Sequence, residues 1–315
     1  MNMMNMRKAY GQALLDAGRE NGRIVALEAD LGKSTMSNMF GDAFPERYFQ
    51  MGIAEANMAS TAAGLALTGH IAFMSTFAVF ASGRAYDQIR SSVCIPNLNV
   101  KVCGSSAGLS DYGDGKTHQS VDDIAIMRAL PNMKVLSPAD AVETAKMVRA
   151  MVDIPGPCYI RVNRNDVPVV TDVDAPFEFG KVRLMREGDD AVIYATGYMV
   201  YRAMEAAKLL EGEGISVRVI NVNTIKPLDV EGVRKYAQGV KAAVTLEEAN
   251  IYGGLGSAVC ETLACAPAIS RVPVCVMGIK DTYGTSSNDY EQLLEAYGFA
   301  ISDIADKVKD ALKLA

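Results

Sequence analysis

The chain has 315 residues, 50% hydrophobic and 22% charged, with a formal net charge of -6 and a pI near 5.1. That is room for two globular domains of roughly 150 residues each, and it excludes a disordered or collagen-like polymer. Lys and Arg form no block or stripe, so the counterion release that drives nucleic-acid binding has no source here.

Short apolar runs alternate with longer amphipathic segments, the pattern of parallel strands flanked by helices. The first elements predicted are a helix over Arg7 to Asn21 and a strand over Ile24 to Leu27. Glu55 then opens a predicted helix reaching Leu67. A carboxylate in a first turn is stabilised by the helix macrodipole, which alone accounts for an acid there. Met51, Ile53 and Met58 add an apolar setting, in which a carboxyl pKa rises and a proton can be exchanged near neutral pH.

A strand is predicted over His70 to Met74. The apolar run Ile71 to Ala81 is the longest, but Ser75 and Thr76 break it, and it is far short of the roughly 20 residues of a membrane span. Phe77 and Phe80 stand three apart at the start of a predicted helix, Phe80 to Ile95. Such a pair shares one face; packing in the core is its usual role, and stacking against a ligand is the alternative.

A strand over Val100 to Cys103 leads into the glycine-dense stretch Gly104 to Gln119. Loops at the carboxyl ends of parallel strands are where open α/β sheets bind ligands, which makes Asp114 and His118 candidates; capping of local turns is the alternative. His70 and His118 are the only histidines, so any histidine catalysis from this chain uses one of them. Gly113-Asp114-Gly115 begins like a motif that holds Mg2+ and a diphosphate, but the next Asn is Asn132, after a proline, and no complete metal-diphosphate motif is expected. Lys134 to Leu136, Asp140 to Met151 and Cys158 to Val162 are predicted as strand, helix and strand.

From Asn165 to Phe179 periodicity is lost, with two prolines and three acids in Asp166 to Phe177. The alternation then resumes with strands over Ala191 to Ala195, Val217 to Val222, Ala242 to Glu247 and Val272 to Met277, and helices over Tyr198 to Glu211 and Tyr290 to Leu314. The expected fold is α/β in two domains, 1–165 and 186–315, each a mainly parallel sheet flanked by helices, with a linker over 166–185. The six cysteines contain no C-x-x-C pair and sit mostly in apolar segments, as reduced buried thiols do. The N-terminus lacks the basic, apolar and small-residue order of a secretory signal, and a soluble cytoplasmic protein is expected.

Taken together and in order, Gly52-Ile-Ala-Glu55, Ser75-Thr-Phe77, Gly113-Asp-Gly-Lys-Thr-His118-Gln, Pro131-Asn-Met, Tyr159-Ile-Arg-Val-Asn-Arg164 and Glu247-Glu-Ala-Asn-Ile-Tyr-Gly-Gly-Leu-Gly256 resemble the transketolases. The resemblance covers essentially the whole chain and lies in the family's pyrimidine-binding and C-terminal domains. Nothing in the sequence matches the family's additional N-terminal domain, which carries the cofactor diphosphate and Mg2+. The chain therefore looks like the C-terminal subunit of a split transketolase.

That resemblance implies thiamine diphosphate bound between two chains, with Mg2+ held by an N-terminal partner subunit. It further implies two-carbon ketol transfer between sugar phosphates, and a homodimer of this chain within an α2β2 heterotetramer. Glu55 matches the carboxylate that hydrogen-bonds the pyrimidine ring nitrogen. Phe77 and Phe80 match the aromatic wall around that ring, while Gly83 stands where the family has a third aromatic. Asp30 matches an acid near the cofactor. Asp114 and His118 match the pair that recognises sugar hydroxyls, and Arg7, Ser34 and Arg164 match the contacts to the sugar phosphate, for which forked, permanently charged guanidinium groups are suited. A phosphate-side His expected near Ser105 or Ser106 is missing, and Ala56 follows Glu55 where the family has His. Deoxyxylulose-phosphate synthase, the pyruvate dehydrogenase β subunit and a non-catalytic assembly subunit are the competing readings.

Overall fold

The computed structural model describes residues 2–266 and 272–315. A seven-stranded sheet runs in the order Thr224–Lys226, Lys134–Leu136, Cys158–Val162, Val100–Ser105, Ile71–Phe77, Ile24–Glu28 and Tyr48–Gln50, and is parallel apart from the antiparallel edge strand Thr224–Lys226. Its central strands are buried along their whole length, as near-continuous apolar runs covered on both faces require. Alternate residues feed the two faces. Ile24, Ala26 and Phe73 pack with Tyr10 and Leu14 of helix Met6–Glu20 and Met147 of helix Ala141–Asp153, whereas Val25, Leu27, Ala72 and Met74 pack with Met58 and Ala62 of helix Glu55–Leu67. Side-chain caps fix two of these helix starts: Asn5 accepts from the Lys8 N–H, and Asp140 from the Glu143 N–H.

A second sheet of five strands has the order Val274–Ile279, Ala242–Asn250, Ala191–Ala195, Val217–Asn221 and Arg183–Arg186, with only the last antiparallel. It too is covered on both sides, by helices Met199–Glu211 and Ile301–Lys313 against Ile193 and Val219, and by Val230–Ala237 and Leu255–Ala264 against Val192 and Ile220. The α/β class and its two mainly parallel, helix-flanked sheets thus match the reading of the sequence.

Three segments differ from that reading. The helix expected over Phe80 to Ile95 is instead two π-helical turns, Phe80–Arg84 and Ile89–Cys94, around a short α-helical stretch, Tyr86–Gln88. The C-terminal helix is divided into Tyr290–Ala296 and Ile301–Lys313 at Gly298, whose φ of +79° ends a helix with little steric cost. Within the stretch that lost periodicity, Asp166–Pro168 pairs antiparallel with Met3–Asn5. These two strands, Tyr48–Gln50 and Thr224–Lys226 each have three residues, and such short strands carry little periodic signal of their own. Thr224–Lys226 also carries chain from the second half into the first sheet. Among the described residues, no helix is long and apolar enough to cross a membrane.

Candidate active site

The candidate residues collect where the parallel strands end. Phe77 is the last residue of Ile71–Phe77, the loop bearing Asp114 and His118 follows Val100–Ser105, Arg164 lies two residues past Cys158–Val162, and Asp30 two past Ile24–Glu28. Neighbouring parallel strands thus deliver them to one rim.

Glu55 stands in the first turn of its helix and is only 3% exposed. Its Oε1 accepts a hydrogen bond of 3.1 Å from Nη1 of Arg84, a half-exposed side chain. The same guanidinium sits over the Phe80 ring, its Cζ 3.9 Å from the ring centre. The two residues stand four apart, on one helix face, in a π turn whose Ala85 N–H reaches back five residues to the Phe80 carbonyl. Phe77 stacks with Phe80 at 5.8 Å and 21° between planes. His118 meets both rings edge-on, at 6.1 and 5.5 Å, with its Nδ1 2.9 Å from the Thr117 hydroxyl.

Arg164 also reaches Phe77, its Cζ 5.9 Å from that ring centre. Arg164 Nη1 donates to Asp111 Oδ2 at 2.6 Å and lies 3.7 Å from Asp114 Oδ2. Asp111 is 1% exposed and its Oδ1 has no partner. Burial pushes this carboxyl above its ordinary range, with Arg164 opposing and Asp114 reinforcing the shift. Arg7 donates from Nη1 to the Ser34 backbone carbonyl at 2.9 Å, so Ser34 holds the arginine through its main chain. Burial and then the like charge of Arg164 depress Arg7; its buried Nε has no partner.

The second half of the chain holds the loop that carries Asp111, Asp114 and His118. Glu248 Oε1 accepts from the Leu109 N–H at 2.6 Å and its Oε2 from Tyr290 Oη at 2.7 Å. Gln119 donates to the Thr285 carbonyl and the Ser287 N–H to the Tyr112 carbonyl. Gly108, at φ +65°, passes so close that a Cβ would lie 2.6 Å from Glu248 Oε1. Beneath the loop, buried Asp123 accepts from Tyr159 Oη and Arg161 Nε, and Arg161 Nη2 reaches the Glu248 carbonyl. Arg161 is thus a buried structural cation. Enclosure pushes Glu248 up to about 7 despite Arg161, and does the same to Glu247, whose carboxylate caps the Leu255 and Gly256 N–H groups.

Glu55, Phe77, Phe80, His118, Arg164 and Asp114 therefore form one connected group. Arg7 and Ser34 sit beside it through the influence of Arg164, and exposed Asp30 is engaged by Gln50 at 2.9 Å instead. Sequence reasoning missed Arg84, Asp111 and Glu248. Arg84 sits next to Gly83, the position noted for its lost aromatic, and Asp111 lies inside the glycine-dense loop; Glu248 had no local signal beyond its motif. Among the described residues no group of three or more His, Cys, Asp or Glu side chains is placed to hold a metal ion.

Residues 2–170 match the transketolase pyrimidine-binding domain and residues 180–304 the transketolase C-terminal domain. The chain belongs to the transketolase family. This transketolase-family chain is 40% identical over 300 residues to the 6-deoxy-6-sulfo-D-fructose transketolase subunit of Clostridium sp. (strain MSTE9), covering 95% of its own length and 92% of the relative's. It is 38% identical over 292 residues to one of the subunits of the apulose-4-phosphate transketolase of Phocaeicola vulgatus, covering 92% of each. Its fold matches with a TM-score of 0.89 that of a split-gene transketolase solved as an inactive β4 tetramer, at 45% identity and 99% coverage of both chains. It is thus a subunit of the split-transketolase kind, in a family that implies thiamine diphosphate.

Proposed function

We propose that this chain supplies the pyrimidine and sugar contacts of a two-chain transketolase, which moves a two-carbon ketol unit between sugar phosphates once a separate N-terminal subunit is bound. The observation that carries this reading is the contact chain Glu55, Arg84, Phe80, Phe77, His118 and Arg164, drawn from separate segments onto one rim. The relatives named for sulfofructose and apulose 4-phosphate widen the substrate range beyond pentose phosphates to sugars with an anionic end.

The residues fit an aminopyrimidine. Arg84 presents a flat cation that sits over Phe80 while donating to Glu55, the two contacts such a ring would make in the same place. When bound, thiamine diphosphate supplies the carbon nucleophile that takes up and releases the ketol unit. Glu55 keeps a proton at the pyrimidine ring nitrogen from within a buried pocket. Phe77 and Phe80 exclude water from one side of it. His118 and Asp114 address the sugar hydroxyls, and Arg7 and Arg164 its anionic end. The diphosphate and Mg2+ fall to the N-terminal subunit, and the assembly is α2β2.

Ketol transfer from hydroxypyruvate, measured for the chain alone and with the co-expressed N-terminal subunit, tests this. Activity is expected only in the complex. Turnover by the chain alone, or none by a complex that forms and binds thiamine diphosphate, would refute it.

A further inference from the structure

Arg164 does not face an anion with a free charge. Its Nη1 is held by Asp111 at 2.6 Å and lies 3.7 Å from Asp114, so two carboxylates share the guanidinium. Around the same point Arg7 feels Asp111 and Asp166 as well as Arg164. Arg164 is thus one cation against two acids within 4 Å. Asp111 is the acid that water screens least: it is 1% exposed, whereas Asp114 is half-exposed. Its Oδ1 and the Arg7 Nε are both buried without a partner.

We infer that Asp111 is a specificity-determining residue, a fixed counter-charge in the anion subsite that disfavours a phosphate dianion relative to a singly charged or uncharged sugar end. The inference rests on the reading of Arg7 and Arg164 as that subsite. Coulomb repulsion from a fixed carboxylate scales with ligand charge, so a dianion feels twice what a monoanion feels, and a neutral polyol almost none. The arginines still attract both anions. Asp111 therefore sets the difference between them, and a subsite balanced in this way admits a sulfonate nearly as well as a phosphate.

The test is a titration of the intact chain, followed by NMR, with three ligands of one carbon skeleton: glycerol 3-phosphate, 2,3-dihydroxypropane-1-sulfonate and glycerol. Asp111→Asn keeps an oxygen acceptor for Arg164 and removes the charge. It is expected to tighten glycerol 3-phosphate about five- to thirtyfold, the sulfonate by roughly the square root of that factor, and glycerol not at all. Asp111→Ala, which also removes the acceptor, is expected to keep the same order among the ligands. If Asp111 merely positions Arg164, both variants bind both anions more weakly, and the inference falls. It also falls if the two anions gain equally, if no protein binds either anion, or if neither variant folds. Ketol transfer plays no part in this readout, so failure of the proposed activity remains separately visible.

Discussion

Replacing Arg164 separates a substrate contact from a structural one, and the geometry dictates how the two must be distinguished. In the reconstituted complex, Arg164→Ala removes a charge-assisted contact to a phosphorylated donor worth about 1.5 to 3 kcal/mol, or roughly ten- to hundredfold in kcat/KM. An unphosphorylated donor such as hydroxypyruvate, assayed with the same unphosphorylated acceptor, is expected to lose little. Thermal stability falls under either reading, because Asp111 is 1% exposed and Arg164 is its cation. Stranding a buried carboxylate costs about 1 to 3 kcal/mol, and because Arg164 is one-third exposed the lower part of that range applies. The melting temperature alone thus decides nothing. Arg164→Ala with Asp111→Asn recovers most of the lost stability, since an amide is buried more cheaply than a charge, yet leaves the donor discrimination lost. Equal losses in kcat/KM for the two donors would refute the substrate role, and the loss would then belong to the loop.

Glu55→Gln is expected to retain the fold and abolish most ketol transfer in the complex, since an amide cannot exchange the proton; full activity would remove Glu55 from the chemistry. Gly108→Ala places a methyl group 2.6 Å from Glu248 Oε1 at φ +65°, and should cost about 2 kcal/mol or more in denaturant unfolding; an unchanged midpoint would mean that the loop is not held as described. Glu247 and Glu248 are each pushed from 4.5 to about 7 by burial. A carboxyl raised in the folded state is harder to ionise there, so its stabilising share is complete below about pH 4.5 and is lost as pH rises through about 7. The melting temperature should decline between about pH 5 and about pH 8, and Glu248→Gln should make that decline shallower; a steeper slope would contradict the burial argument.

The sequence made the architecture legible wherever elements were long. Strands such as Ile71–Phe77 and helices such as Glu55–Leu67 carry enough residues for period and burial to agree. Of the three-residue strands only Lys134–Leu136 was legible, and the second half's entry into the first sheet through Thr224–Lys226 is a long-range event with no local trace. The π turns were hidden for a different reason: α and π turns share an amphipathic pattern over so short a span, and only backbone bonds reaching back five residues, Ala85 to Phe80 and Ile95 to Arg90, reveal the widened turns. In the site, residues with distinctive local settings were found: Glu55 at a helix start, the paired phenylalanines, and Asp114 with His118 in the glycine loop. Asp111 and Glu248 escaped because their significance depends on what lies across from them, Arg164 in one case and the Leu109 N–H in the other.

The same contacts bear on why the two halves work as one unit. The residues proposed to act all lie in the first half, between Arg7 and Arg164, and the loop carrying three of the polar ones is held partly from within, by the paired Gly108 and Ser120 backbones and by the Gly115 N–H on the Asp111 carbonyl. Gly108, Gly113 and Gly115 give it freedom, and two of these glycines have φ of +65° and +75°. The first half adds the Ala107 N–H on the Val162 carbonyl and the Asn165 amide on the Ser110 carbonyl, and the second half adds Glu248 on Leu109, the Thr285 carbonyl on Gln119 and Ser287 on Tyr112. Tyr290 extends this support by joining Glu248 to Asn163, the residue before Arg164. Without the second-half anchors, the released residues would regain backbone entropy, about 1 to 2 kcal/mol each, and Asp111 would face Arg164 on first-half contacts alone. The second half thus contributes to the site by restricting the first half's conformations, which is a physical reason for both to reside in one chain.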